Sequence, residues 1–190
     1  MAIAQIDLDG FNSAVLDDPG LVSPAERSRA RGLNGEDAVR RYLRARAALR
    51  VLLARECGGR PDALLLAGKH GVVPVEDGAR ISYGLSVAGG LAVFAIGRNQ
   101  PLAIEAAARR GAGGASARCR METARRALAQ GIGSTATDAA SLRGFLEGAR
   151  SLVVCGWTVQ VVPTMPGYFV AVAGQGEGWG YRLASPFFPV

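Results

Sequence analysis

The chain of 190 residues contains a single lysine, Lys69, so nearly all of its 22 basic side chains are arginine. It has one histidine, His70, and three cysteines, Cys57, Cys119 and Cys155, which are widely separated and form no C-x-x-C pair. Zinc sites draw on clustered cysteine and histidine, so a zinc protein is not expected. No run of eighteen apolar residues occurs, and the segment from Met1 to Asp9 carries two acids and no base. Neither a membrane span nor a secretory leader is expected, which suggests a cytoplasmic protein with reduced thiols. Aromatic residues make up only 6% of the chain.

What is present describes a globular protein. Hydrophobic residues reach 49% against 20% charged, too apolar for a disordered chain, and 26 glycines imply many tight turns. The net charge of +6 is almost wholly guanidinium. It reads either as phosphate binding or as a drift toward Ala, Gly and Arg that replaced lysine throughout. Residues 27–60 hold ten arginines against Glu36, Asp37 and Glu56. Without interleaved aromatics or a groove-reading motif, this stretch reads as the solvated face of an amphipathic helix, and nucleic acid is not the expected partner.

Residues 2–8 alternate as a strand does. Ser23-Pro24-Ala25-Glu26 is a capping-box helix start, and Asn34-Gly35-Glu36-Asp37 opens a longer helix that Gly58-Gly59 stops. Along that helix Val39, Tyr42, Leu43, Leu49, Leu52 and Leu53 recur at helical spacing, flanked by Arg40, Arg41, Arg44 and Arg50. Arg46 falls on or beside the apolar face. It must find a carboxylate or a phosphate there, or snorkel to water.

Strands are expected at 81–83, 91–96 and 102–105, the last two as an antiparallel hairpin around Gly97-Arg98-Asn99-Gln100-Pro101. Residues 111–117 read as a linker and Met121–Gln130 as a short basic helix stopped by Gly131-Ile132-Gly133. Residues 138–150 are ambiguous between helix and strand. Further strands follow at 152–155, 157–163, 168–173 and 179–184. The pattern predicts an α+β fold in two similar halves, 1–103 and 104–190, each an antiparallel sheet packed against a helix, with an active-site cleft between them.

Several short motifs fail on context. Gly131-x-Gly133-x-x-Ala136 follows a helix rather than a strand, so it is no dinucleotide fingerprint. Gly68-Lys69 lacks the rest of a P-loop. Gly84-Leu85-Ser86-Val87-Ala88 is not followed by a helix, as a nucleophile elbow would be.

The order of the pieces resembles the Sfp-type 4′-phosphopantetheinyl transferase superfamily. Ser23-Pro24-Ala25-Glu26-Arg27 matches S-P-x-E-R, and Arg41-Tyr42-Leu43-Arg44-Ala45-Arg46-Ala47-Ala48-Leu49-Arg50 matches the Arg-rich helix. His70-Gly71-Val72-Val73-Pro74 stands at the G-K-P loop and Gly84–Gly90 at N-x-S-H-S-G-G. Pro101–Ala107 stands at P-x-G-V-D-x-E, and Arg118–Thr123 at W-x-x-K-E-A. The closing strands, Trp157-Thr158-Val159 and Pro166–Ala173, fit as well.

The resemblance implies transfer of phosphopantetheine from coenzyme A to a carrier-protein serine, with Mg²⁺ held by the acids of D-x-E and K-E-A. Glu105 and Glu122 are the catalytic or metal-ligating candidates, but the second acid of D-x-E is Ala107. The S-H-S histidine and second serine are Val87 and Ala88, and the lysines of G-K-P and K-E-A are Val73 and Met121. Arg29, Arg41, Arg46, Lys69 and Ser86 are the candidates for coenzyme A or phosphate contact. Losses concentrate in the pyrophosphate and metal pocket.

Three readings stay open. One is an enzyme repurposed to act on a carrier- or coenzyme A-linked intermediate of polyketide or nonribosomal peptide assembly, with Glu105 and Glu122 as acid or base. A carboxyl among Val87, Ile104 and Met121 would then have a raised pKa. The others are a working transferase and a non-catalytic carrier-protein binder. An acidic carrier protein is the expected partner, met by the basic helix face at Arg40, Arg44 and Arg50.

Overall fold

In the computed structural model, described for residues 1–10, 14–66, 68–75, 77–109, 114–133 and 139–184, the chain forms an α+β fold of two antiparallel sheets and three α-helices. Strand β1 (Ala2–Asp7) leads through α1 (Pro24–Arg31) and α2 (Glu36–Cys57) into β2 (His70–Pro74), β3 (Arg80–Ala88) and β4 (Leu91–Arg98). Then come β5 (Leu102–Ala108), α3 (Gly114–Ile132), β6 (Ser151–Val154), β7 (Trp157–Val162), β8 (Tyr168–Gln175) and β9 (Arg182–Leu183). The first sheet has the order β2-β3-β4-β1-β9 and the second β5-β8-β7-β6. One short pairing is parallel, that of Ala2 and Ile3 with Arg182 and Leu183.

Side-chain alternation stacks these elements. On β4, Ala92, Phe94 and Ile96 join Leu49 and Leu53 of α2 in one core. Leu91, Val93 and Ala95 point the other way, onto Ile104, Val170 and Val172 of the second sheet. A third core lies beyond that sheet, where Ala124, Ala127 and Leu128 of α3 meet Val159, Ala171 and Ala173. Both sheets are therefore covered on both faces, and β4 reads as a continuous apolar run because neither face meets water.

Local signals account for most boundaries. Ser23 Oγ accepts the Glu26 N–H while the Glu26 carboxylate accepts the Ser23 N–H, completing the capping box. Gly58 closes α2 in the left-handed conformation at φ 70°.

Three expectations need correction. Strands β4 and β5 form no hairpin: β4 is flanked by β3 and β1, so β5 crosses to the other sheet and pairs with β8. Helix α3 begins at Gly114, so residues 114–117 of the expected linker are helical, with Ser116 buried; residues 111–113 lie outside the described residues. The 179–184 strand shrinks to two residues. Within the ambiguous stretch, Ala139–Phe145 is a 3-10 helix that buries Leu142 and Phe145. Residue 138 lies outside the described residues. No helix among the described residues is long and apolar enough to cross a membrane.

The arginine-rich helix is organised by ion pairs. Glu26 is 6% exposed, and Arg46 and Arg50 are 3% and 2% exposed. Arg46 Nε donates to Glu26 at 2.5 Å and Arg50 Nε at 3.0 Å. Arg50 also donates to the carbonyls of Pro61 and Leu64, and Arg46 to that of Gly68. The question left open for Arg46 is thus answered by a carboxylate. Arg44 is likewise buried, bonded to Asp17 and to the Leu8 carbonyl. The expected basic docking face at Arg40, Arg44 and Arg50 is therefore corrected: two of its three guanidiniums point inward.

Burial alone would push the Glu26 carboxyl up. The Ser23 N–H, the Arg46 hydrogen bond and both guanidinium charges outweigh it and hold the group below its ordinary 4.5. A folded pKa below the unfolded one stabilises the native state above about pH 4.5 and stops doing so as pH falls through the folded value. Glu26→Ala should cost about 3–5 kcal/mol in urea unfolding at pH 7, because two guanidiniums lose their counter-charge. The deficit should shrink as pH falls below 4.5. A loss under about 1 kcal/mol would show that the carbonyl partners suffice.

Candidate functional site

A cleft of about 730 Å³ opens where the two sheets meet α3. One wall is the end of β3, Val87 and Ala88, with Gly89 of the turn into β4. The second is Glu105–Ala108 on β5, and the third is the α3 flank carrying Arg118, Cys119, Glu122, Thr123 and Arg126. The turn needs glycines for separate reasons. Gly89 has φ 56°, and a Cβ on Gly90 would sit 2.6 Å from the Asp9 carboxylate.

Ser86 stitches the sheets together. Its Oγ accepts the Ala106 N–H at 3.0 Å, filling a vacancy on the free edge of β5, and donates to Glu105 Oε2 at 3.3 Å. The same Oε2 accepts from Gln130 Nε2 at 3.0 Å. Glu105 is thus fixed from one side by β3 and from the other by α3, with 17% of its side chain exposed toward the cleft.

Glu122, Arg126 and Gln130 follow at i, i+4 and i+8, one stripe of α3. Arg125 grips Glu122 through two bonds of 2.8 Å, and Arg126 Nε adds a third at 3.1 Å. Arg126 also brings a guanidinium nitrogen within 4.0 Å of Glu105 Oε1. The Arg125 hydrogen bond is the main cause that pulls the Glu122 carboxyl down to about 2; partial burial opposes it, and Arg126 adds to the fall. The expectation of a raised pKa is overturned for Glu122, whose environment is cationic rather than apolar. At neutral pH it is an anion that positions arginines.

His70 approaches Glu105 from β2. Burial pulls its pKa down and the Lys69 charge adds to this, against the Glu105 carboxylate and Gln130, so the ring is neutral at pH 7. Its Nδ1 is buried with no partner among the described residues. A Cβ on Gly84 would lie 3.0 Å from that atom, so the bare glycine makes room for the ring.

Of the residues singled out from sequence, Ser86, Glu105 and Glu122 converge here. Arg41 is held elsewhere, by Asp9, through bonds of 2.6 to 3.1 Å. Arg46 is in the core, and Arg29 and Lys69 are exposed. Arg126, Gln130, Arg118 and His70 were missed as site residues. The first two were readable from their i+4 and i+8 spacing to Glu122, whereas His70 reaches the site only through strand pairing with Gly84.

The donor set does not suit Mg²⁺. Both carboxylates are already compensated by guanidiniums of this chain, and among the described residues no group of three metal-ligating side chains exists. No family model matches the chain, and no curated protein matches it.

Titration of Glu122 by NMR should give a midpoint about 2. The ion pair's contribution to stability should be complete above pH 4.5 and fade toward pH 2, the order expected for a depressed pKa. Because these side chains are a third or more exposed, Glu122→Gln should cost less than about 1 kcal/mol at pH 7. A midpoint near 4.5 would mean that the arginines do not hold the carboxylate in solution.

Proposed function

We propose that the protein is a divergent member of the Sfp-type phosphopantetheinyl transferase superfamily, repurposed as an enzyme acting on a carrier- or coenzyme A-linked intermediate of polyketide or nonribosomal peptide type. The stacking of helix, sheet, sheet and helix supports a pseudo-dimer of similar halves, 1–103 and 104–190, with the cleft at their junction. The observation that carries the reading is Arg126, which reaches both remaining acids and supplies from within the chain the positive charge that a metal would bring.

Glu105 is then the proton-transfer group. It faces the cleft, and Ser86 and Gln130 fix its orientation through Oε2, leaving Oε1, with the Arg126 guanidinium 4.0 Å away, for a bound substrate. Val87, Ala88 and Ala106–Ala108 present an apolar wall, suited to an acyl chain rather than to a pyrophosphate. Arg118, without a partner among the described residues, offers a guanidinium to an anionic substituent. An acidic carrier protein would meet the exposed Arg29 and Arg31 at the end of α1.

Incubation with apo-carrier protein, coenzyme A and Mg²⁺, read by intact mass, should give no phosphopantetheine adduct. An adduct would establish a working transferase instead. Glu105→Gln should lower pathway product by about 10²–10⁴-fold, the range for removing a general acid or base, with the circular dichroism spectrum intact. An undiminished yield would leave a carrier-protein binder as the function.

A further inference from the structure

A second cavity, of about 570 Å³, lies on the other flank of α3 from the Glu105 cleft. It is lined by Arg120, by Gly148–Ser151 ahead of and entering β6, by Gln160–Pro163 at the end of β7, and by Tyr181. Arg118 and Glu122 face the first cleft; Arg120, midway between them in sequence, lies about 200° around the helix from each. The two cavities share no lining residue.

Its chemistry is one-sided. Arg120 and Arg150 both line it, and among the described residues no Asp or Glu does. Elsewhere in this protein the arginines that turn inward find carboxylates, as Arg44, Arg46 and Arg50 do. Arg120 does not. Its Nε is buried and has no hydrogen-bond partner among the described residues, and neither does the Arg150 guanidinium. A buried guanidinium N–H left unsatisfied costs more than an ordinary lost hydrogen bond, so such a group calls for an anion. The Ser151 and Tyr181 hydroxyls on the same lining can donate as well. Thr164 Oγ1, just past the end of β7, is a further buried polar atom without a partner among the described residues.

We propose that this cavity is a phosphate-group binding site, with Arg120 and Arg150 as its paired guanidiniums. Guanidinium forks match the oxygens of a phosphate through paired N–H···O bonds, and two of them neutralise a dianion. The volume exceeds that of a bare phosphate ion, leaving room for a phosphorylated small molecule. The site is independent of the reaction proposed for the Glu105 cleft and stands or falls separately.

Isothermal titration of the full chain with inorganic phosphate and with adenosine monophosphate tests it, against NaCl at matched ionic strength. Saturable binding of either probe is expected. Tighter binding of the monoester would identify a phosphorylated metabolite as the ligand, and tighter binding of inorganic phosphate would identify the free ion. Arg150→Gln, at an exposed position, should keep the melting temperature and raise Kd about tenfold, the loss of one charge-assisted contact. Arg120→Gln should do the same or more; if that variant does not fold, Arg150→Gln decides alone. Heats no different from NaCl, or an unchanged Kd in Arg150→Gln, would overturn the proposal.

Discussion

The first half of the chain is organised around one buried carboxylate. Glu26 caps its own helix by accepting the Ser23 N–H, and it also accepts from Arg46 and Arg50 on the next helix. Those two arginines hold the carbonyls of Pro61, Leu64 and Gly68, the connection that carries the chain from α2 to β2. A single side chain thereby sets the angle of α1, the rotation of α2 and the path into the sheet. Buried ion pairs add little net stability compared with apolar packing, but they tolerate few alternative arrangements. The register in which β2 brings His70 opposite Gly84 lies directly downstream of this constraint.

A related device operates at the junction of the sheets. Strand β5 is an edge strand, and its free Ala106 N–H would be an unpaired donor if Ser86 did not accept it. Because Ser86 also donates to Glu105, the interaction that closes the edge of the second sheet positions the acid in the cleft. Structure and chemistry are coupled through one hydroxyl. The apolar stacking of Ile104 and Ala106 against β4 keeps water from that seam. Glu105 consequently meets a preformed set of partners, Gln130, Ser86 and Arg126, rather than a solvent-filled gap.

The capping box, the long helix, its glycine stop and most strands were legible in the sequence because each has a local cause: a side-chain cap, a 3.6-residue period or an alternation. The crossing from β4 to β5 was not. A polar turn between two apolar runs suggests a hairpin, and only the occupation of both edges of β4 by β3 and β1 forces β5 into the other sheet. The start of α3 was hidden for a different reason. Gly114 and Ser116 are poor helix formers set among the strong formers Ala115 and Ala117, so the local signal is mixed, and packing of α3 against β8 and β5 decides their state. At the site, Glu105 and Glu122 were found from order along the chain. The arginines that neutralise Glu122 were in view too, three and four residues further on, and their effect on its pKa follows from that spacing alone.

The near-absence of lysine takes on a physical meaning in this setting. Arg44 bonds a carboxylate and a carbonyl at once, and Arg50 a carboxylate and two carbonyls. Those are tasks for a planar fork with five donors, and an ammonium on a flexible stem cannot reach such divergent acceptors together. Compositional drift and phosphate binding were the two explanations suggested by composition, and internal scaffolding is a third that the sequence concealed. It also reduces the charge presented to partners, since Arg44, Arg46 and Arg50 are buried and Arg40, Arg41 and Arg60 are paired with aspartates. The +6 net charge is therefore expressed unevenly. Guanidiniums still without partners among the described residues include Arg118 in one cavity and Arg120 and Arg150 in the other. Recognition of small anions by this protein is thus to be sought on the two flanks of α3, not along the arginine-dense helix α2 that first draws notice.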